Sequence, residues 1–151
     1  MFSTESSDAA DLIRVRKLAY PALERLGATL LDDVALPITK IAEFVGLVEE
    51  LAAKHQLTIG IFGHAGDGNM HPTIVHDHGD IEGENRAKIA FSEIVKIAQS
   101  LGGSASGEHG IGSIKRGLVR EEVSDSVIEI QRGIKHLLDP SGILNPGKKL
   151  T

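Results

Sequence analysis

Residues 57–76 read LTIGIFGHAGDGNMHPTIVH. The run 57–63 is β-rich, 70–76 reads as its return, and the glycine-rich 65–69 joins the two, the pattern of a hairpin. Outside it the spacing of apolar residues is helical. Leu12, Val15, Ala19, Leu23 and Leu26 mark a helix over 8–26, with Pro21 inside it to kink or split it. Residues 28–36 read as a strand ended by Pro37. Ile41, Ala42, Val45, Val48 and Ala52 mark a helix over 39–55. A third helix, over about 83–101, stops at Gly102-Gly103, and a fourth, over 121–138, stops at Asp139-Pro140. The Gly- and Ser-rich 102–117 and the tail 141–151 read as irregular. Four helices and about three strands predict one α+β domain over 1–151, a small, mainly antiparallel sheet whose covering helices bury these stripes.

Composition narrows the function. A chain of 151 residues suits one domain, and 41% hydrophobic with 25% charged residues excludes wholesale disorder. The longest stretch without Asp, Glu, Lys or Arg is 12 residues, 55–66, short of the ~20 apolar residues that a membrane-spanning helix needs. Glu5, Asp8 and Asp11 precede the first basic residue, Arg14, the reverse of a secretory leader. The absence of Cys removes disulfides, thiolate nucleophiles and Cys-based metal sites. A net charge of −5 argues against nucleic acid as partner. The expectation is a soluble, cytoplasmic globular unit. Aromatic residues make up only 3%, so the core is expected to be aliphatic. Of 17 glycines, 12 lie between Gly60 and Gly117, and four of seven histidines (His64, His71, His76, His78) fall within 15 residues. Any chemistry is therefore expected mid-chain.

His64 closes one strand of the hairpin and His71 opens the next, so both imidazoles can converge. Two imidazoles need one carboxylate to make an open three-ligand metal site. A glycine-rich turn flanked by two surface histidines fits the same spacing. In SGEHGIG (106–112), Glu108 and His109 are adjacent in a glycine loop that can aim both at one point. Glu108 then serves as third ligand and leaves His109 as a general base. The cluster His76-Asp77-His78-Gly79-Asp80 reads as a solvated turn, because strand alternation points His76 away from the face shared by His71 and Thr73. Residues 142–149 fall short of a P-loop, the glycine spacings are not those of a dinucleotide fold, and neither GxSxG nor HExxH occurs.

Taken together, GHAGDGNMHP (63–72), SGEHGIGSIKRG (106–117) and DPSGILNPGKKL (139–150) resemble the C-terminal domain of FAD-linked oxidases of D-2-hydroxy acids. The family includes the glycolate oxidase flavin subunit, D-lactate dehydrogenase and D-2-hydroxyglutarate dehydrogenase. The segments 16–23 and 33–37 resemble the family's stretches ahead of the first motif, so the likeness runs from about Asp11 to Leu150. The resemblance implies part of a ferredoxin-like substrate domain with a C-terminal helical segment. It also implies a divalent metal (zinc first, manganese or iron otherwise) on His64, His71 and Glu108, with His109 as catalytic base. Arg16 and Thr73 fall on substrate positions, and Asn145 and Lys148 on the tail that folds toward the flavin. Some relatives carry Asn at the position of Thr73 and Lys at that of Leu31, both associated with 2-hydroxyglutarate, so a smaller acid such as glycolate or D-lactate is expected.

Family members carry a flavin-binding domain of about two hundred residues ahead of this region. The chain is thus expected to be a C-terminal piece whose thin sheet lacks strands, inactive alone, with FAD held mostly by the absent domain. The expected partners are the 2-hydroxy acid, a flavin-binding domain or subunit, an electron acceptor, the inner-membrane surface in the full enzyme, and further copies of the chain. A catalytically silent metal-binding or oligomerisation module is the alternative. Metal-dependent hydrolysis is a third reading, disfavoured because the resemblance accounts for all three motifs together.

Overall fold

The computed structural model describes residues 6–149; the final two residues of the tail lie outside the described residues. The first helical stretch is split into α1 (Ser6–Lys17) and α2 (Ala19–Glu24). Pro21 has no N–H to return to the Lys17 carbonyl, and the break falls there. Strands β1 (Ala28–Leu31) and β2 (Val34–Ala35) follow. A 3₁₀ turn, Ile38–Lys40, leads into α3 (Ile41–His55), which Gln56 ends in the left-handed region at φ 53°. The hairpin is β3 (Thr58–His64) and β4 (Asn69–His76). Three helices complete the chain: α4 (Ile81–Ser100), α5 (Arg116–Val119) and α6 (Asp125–Leu138).

The result is an α+β fold around a four-stranded antiparallel sheet that does not close. β4 is central, with β3 on one side and β1 and β2 paired in succession along the other. The single strand expected over 28–36 is interrupted at Asp32-Asp33. Asp32 N–H donates to the Pro72 carbonyl at 2.8 Å, but Pro72 has no N–H to give back, so the ladder lapses there without losing register. Two further differences from expectation are local. The short α5 forms at the end of the glycine-rich stretch, and α6 starts at Asp125 because 121–123 are taken up in turns closed on Leu118 and Val119.

Side chains alternate across the sheet. One face carries Leu30, Val34, Ile59, Ile61, Met70 and Ile74, which pack on Phe44, Val48 and Leu51 of α3 and on Ala87, Ala90, Phe91, Ile94, Val95 and Ala98 of α4. This is the aliphatic core. The other face carries Leu31, Asp33, Phe62, His64, Asn69, His71 and Thr73. Among the described residues, the end of α1, α2 and the loop before α5 lie against it, and polar residues collect there. The apolar stripe of 8–26 is only partly used: Leu12, Val15 and Leu26 are exposed, contrary to the expected burial. Helix α6 likewise buries Ile128 but exposes Ile130, Ile134, Leu137 and Leu138.

Candidate active site

The hairpin register places the two histidines. His64 stands opposite Asn69 and His71 opposite Phe62, so both imidazoles project from one face. The turn between them closes on the His64 carbonyl, which accepts Asp67 N–H at 3.1 Å and Gly68 N–H at 3.0 Å. Gly68 sits at φ +81°, and a Cβ there would overlap the Leu36 carbonyl oxygen. The imidazole centroids are 5.4 Å apart and the rings are perpendicular, at 89°.

Glu108 and His109 arrive on a loop fastened at several points. Ser104 and Ala35 exchange main-chain hydrogen bonds at 2.9 and 3.1 Å, and Ala105 N–H donates to Glu122 Oε2 at 2.7 Å. The ammonium of buried Lys115 donates to Asp32 Oδ1 at 2.8 Å, to the Ala105 carbonyl at 2.9 Å and to the Asp33 carbonyl. Burial pushes the Asp32 carboxyl above its ordinary pKa, and Lys115 pulls it back. His109 N–H donates to Asp33 Oδ2 at 2.8 Å. Gly107 allows the loop this close, since a Cβ there would overlap Asp33 Oδ1 and Asn69 Oδ1.

The carboxylate oxygen Glu108 Oε1 consequently lies 3.2 Å from His64 Nε2 and 3.2 Å from His71 Nε2. In a tetrahedral site with bonds of ~2.1 Å the ligand atoms are ~3.4 Å apart, and these two separations come close to that. His64, His71 and Glu108 form one of two groups among the described residues able to hold a metal; the other is Asp33, His71 and His109. Desolvation lowers the pKa of His71, His109 and His64 add to this, and the charges of Asp33 and Glu108 oppose it. A neutral imidazole is the form that ligates. The His109 ring stacks on His71 at 5.1 Å and 12°, with Nε2 3.7 Å from Glu108 Oε1, and its side chain is exposed.

Beside these groups opens a cleft of about 340 Å³. Tyr20, Leu31 and Phe62 give it apolar walls, and Arg16 and Lys17 stand at it with His64, His71 and His109. Arg16 donates from its guanidinium to His64 Nδ1 at 3.1 Å. Thr73 is fully buried, its hydroxyl 3.4 Å from the His71 carbonyl, and it is not part of the lining. Asn145, at φ 46°, and Lys148 are exposed on the tail, outside this cleft, where Lys149 N–H returns to the Gly112 carbonyl at 2.7 Å. His76 takes the opposite face, as alternation predicts. Sequence reasoning passed over Asp33, Lys115 and Lys17. The adjacent acids Asp32-Asp33 inside an otherwise apolar strand were the available signal.

No helix among the described residues is long and apolar enough to cross a membrane. Curated relatives match most or nearly all of the chain. The glycolate oxidase subunit GlcD of Bacillus subtilis is 39% identical over 142 residues, 93% of this chain and 30% of that protein. A D-lactate dehydrogenase of Archaeoglobus fulgidus is 39% identical over 148 residues, 97% of this chain and 32% of the relative. A probable mitochondrial D-lactate dehydrogenase of Danio rerio is 38% identical over 118 residues, 78% of this chain and 24% of the relative. The chain thus spans about a third or less of the length of these relatives. The family model for FAD linked oxidases, C-terminal domain, matches residues 1–149, and the chain belongs to that family of FAD-linked oxidoreductases.

Proposed function

We propose that this chain is the substrate- and metal-holding part of a flavin-dependent oxidoreductase of D-2-hydroxy acids, with glycolate or D-lactate as the size of substrate. The observation that carries the reading is the convergence of His64 Nε2 and His71 Nε2 on one oxygen of Glu108, beside the exposed ring of His109. Two imidazoles and a carboxylate suit zinc first, and manganese or iron as well. When bound, the metal supplies Lewis acidity to the substrate hydroxyl and FAD supplies the hydride acceptor.

The chain's own residues supply the rest. His109, exposed to the cleft, takes the hydroxyl proton on its ring. Arg16 and Lys17 offset the net charge of −5 where an anionic substrate enters. The Arg16 guanidinium now donates to His64 Nδ1, which leaves the ring proton on Nε2. Were His64 to hold the metal through Nε2, its ring proton would sit on Nδ1 and offer the guanidinium no acceptor there. Arg16 would then be available to pair with the substrate carboxylate. Leu31 and Phe62 leave the wall apolar, in keeping with a short aliphatic acid. Asn145 and Lys148 are the positions from which the tail meets the flavin, which belongs mainly to a separate binding domain.

Bound metal in the purified chain, measured by mass spectrometry beside His71→Ala, tests the site. About one equivalent is expected in the parent and none in the variant; metal retained in the variant refutes the ligand set. Joined to a flavin-binding domain, the chain is expected to reduce dye with D-lactate or glycolate. Metal binding without any such reduction makes it a silent metal-binding module.

A further inference from the structure

We infer that Asp33 is the positioning residue of this site, fixing the tautomer of His71 and the seat of the loop that carries Glu108. The inference deepens the metal-site reading above and rests on it. The pairing of β1 and β2 with β4 runs from Leu31 opposite Thr73 to Val34 opposite Met70, so Asp33 stands directly across from His71. Residues opposite one another in antiparallel strands project on the same face with neighbouring Cβ atoms. Asp33 Oδ1 accordingly lies 3.4 Å from His71 Nδ1. Both atoms are buried, and among the described residues neither has another partner.

A buried acceptor and a buried ring nitrogen so placed are satisfied together when Nδ1 carries the hydrogen and the carboxylate accepts it. That tautomer leaves the Nε2 lone pair free, on the side facing Glu108 Oε1. A carboxylate behind a ligating imidazole holds the ring's angle and raises its basicity. The second oxygen, Oδ2, is already occupied by His109 N–H at 2.8 Å, which anchors the residue next to Glu108. One carboxylate thereby ties β4 to the catalytic loop, using each oxygen once.

The group Asp33, His71 and His109 offers a competing role, with Asp33 itself as ligand. It requires His71 to bind through Nδ1, which turns a protonated Nε2 toward Glu108. Asp33 is also buried, whereas Glu108 is half exposed beside the cleft and leaves a coordination position open to substrate. The geometry favours orientation over ligation.

The test uses the full chain and its Asp33→Asn variant. Asn offers one acceptor oxygen to two donors, the His71 ring and the His109 N–H, so one contact is lost while the shape is kept. Long-range 15N–1H NMR of the metal-free parent is expected to show His71 protonated at Nδ1. Cobalt(II) titration is expected to show affinity 10- to 100-fold weaker in the variant, with the d–d spectrum of bound cobalt unchanged. A parent His71 protonated at Nε2, an unchanged affinity, or an altered d–d spectrum that marks Asp33 as a ligand would overturn the inference. If the parent binds no cobalt, the metal reading fails, while the tautomer of His71 still decides the role of Asp33. The parent spectrum also decides it if the variant does not fold.

Discussion

Replacing Lys115 by Met removes the only cation among the described residues that pairs with Asp32, a carboxylate with no solvent exposure. Asp32 then has two options. It stays charged without a partner, at a cost of about 3–5 kcal/mol. Otherwise it takes up a proton, which at pH 7 costs 1.36 kcal/mol for each of the ~3.1 units separating the pH from an ordinary carboxyl pKa of ~3.9, or about 4 kcal/mol. The carbonyls of Asp33 and Ala105 each lose a donor as well, at about 1 kcal/mol apiece. A total of about 5–6 kcal/mol follows, which for a chain of this size lowers the melting temperature by roughly 10–20 °C. Urea unfolding followed by far-UV circular dichroism measures it. The sign of the pH dependence is distinctive. In the variant the folded pKa of Asp32 lies above the unfolded value, so the penalty is complete above the folded pKa and fades as pH falls toward ~3.9. At pH 5 the protonation cost is only about 1.5 kcal/mol, so the deficit relative to the parent shrinks by roughly half. Adding Asp32→Asn to Lys115→Met recovers most of the loss at pH 7. A deficit below 1 kcal/mol, or one equal at pH 7 and pH 5, refutes the reading of Asp32 and Lys115 as a buried ion pair.

Gly107→Ala drives a methyl group into Asp33 Oδ1 and Asn69 Oδ1; we expect a loss of about 1–3 kcal/mol by the same unfolding assay, together with weakened metal binding. Asp139 is held below the ordinary carboxylate pKa by Lys135, with the N–H groups of Leu144 and Ile143 assisting against the cost of burial. Its contribution is present above the unfolded value of about 3.8 and lost as pH falls through the lower folded value. The difference in melting temperature between the parent and Asp139→Asn, clear at pH 6, should close below that range; a constant difference would show that the charge is not responsible.

The parts legible in the sequence are those set by local pattern. Alternation over 57–76 specifies the hairpin, and its register alone brings His64 and His71 to one face. Glu108 is another matter, since its place depends on Lys115, Asp33 and Glu122, contacts made across 10–82 residues of chain. The glycine loop offered Glu108 as a third ligand and the family resemblance supported it; spacing supplied no distance. Asp33 escaped notice because an acid in a strand reads as a solvent-facing residue until the opposite strand is known. The break at Asp32-Asp33 has its cause in Pro72, forty residues away in sequence and adjacent in the sheet. The helical stripe over 8–26 was correctly periodic, yet periodicity does not say what covers a helix, and Leu12 and Val15 remain exposed.

Asp32 and Asp33 are consecutive and face opposite sides of the sheet, one toward the buried ammonium of Lys115, the other toward His71. Conservative substitutions at flanking positions leave this arrangement intact, but a change in length does not. Inserting or deleting one residue between Leu31 and Val34 exchanges the two faces for everything on one side of the change. A carboxylate then meets the aliphatic core, and both the lysine and the histidine lose their partners in a single event. The turn at 77–80, with Gly79 in open space, has no comparable constraint. Related chains should therefore vary in length there and keep an invariant count of residues between β1 and β2.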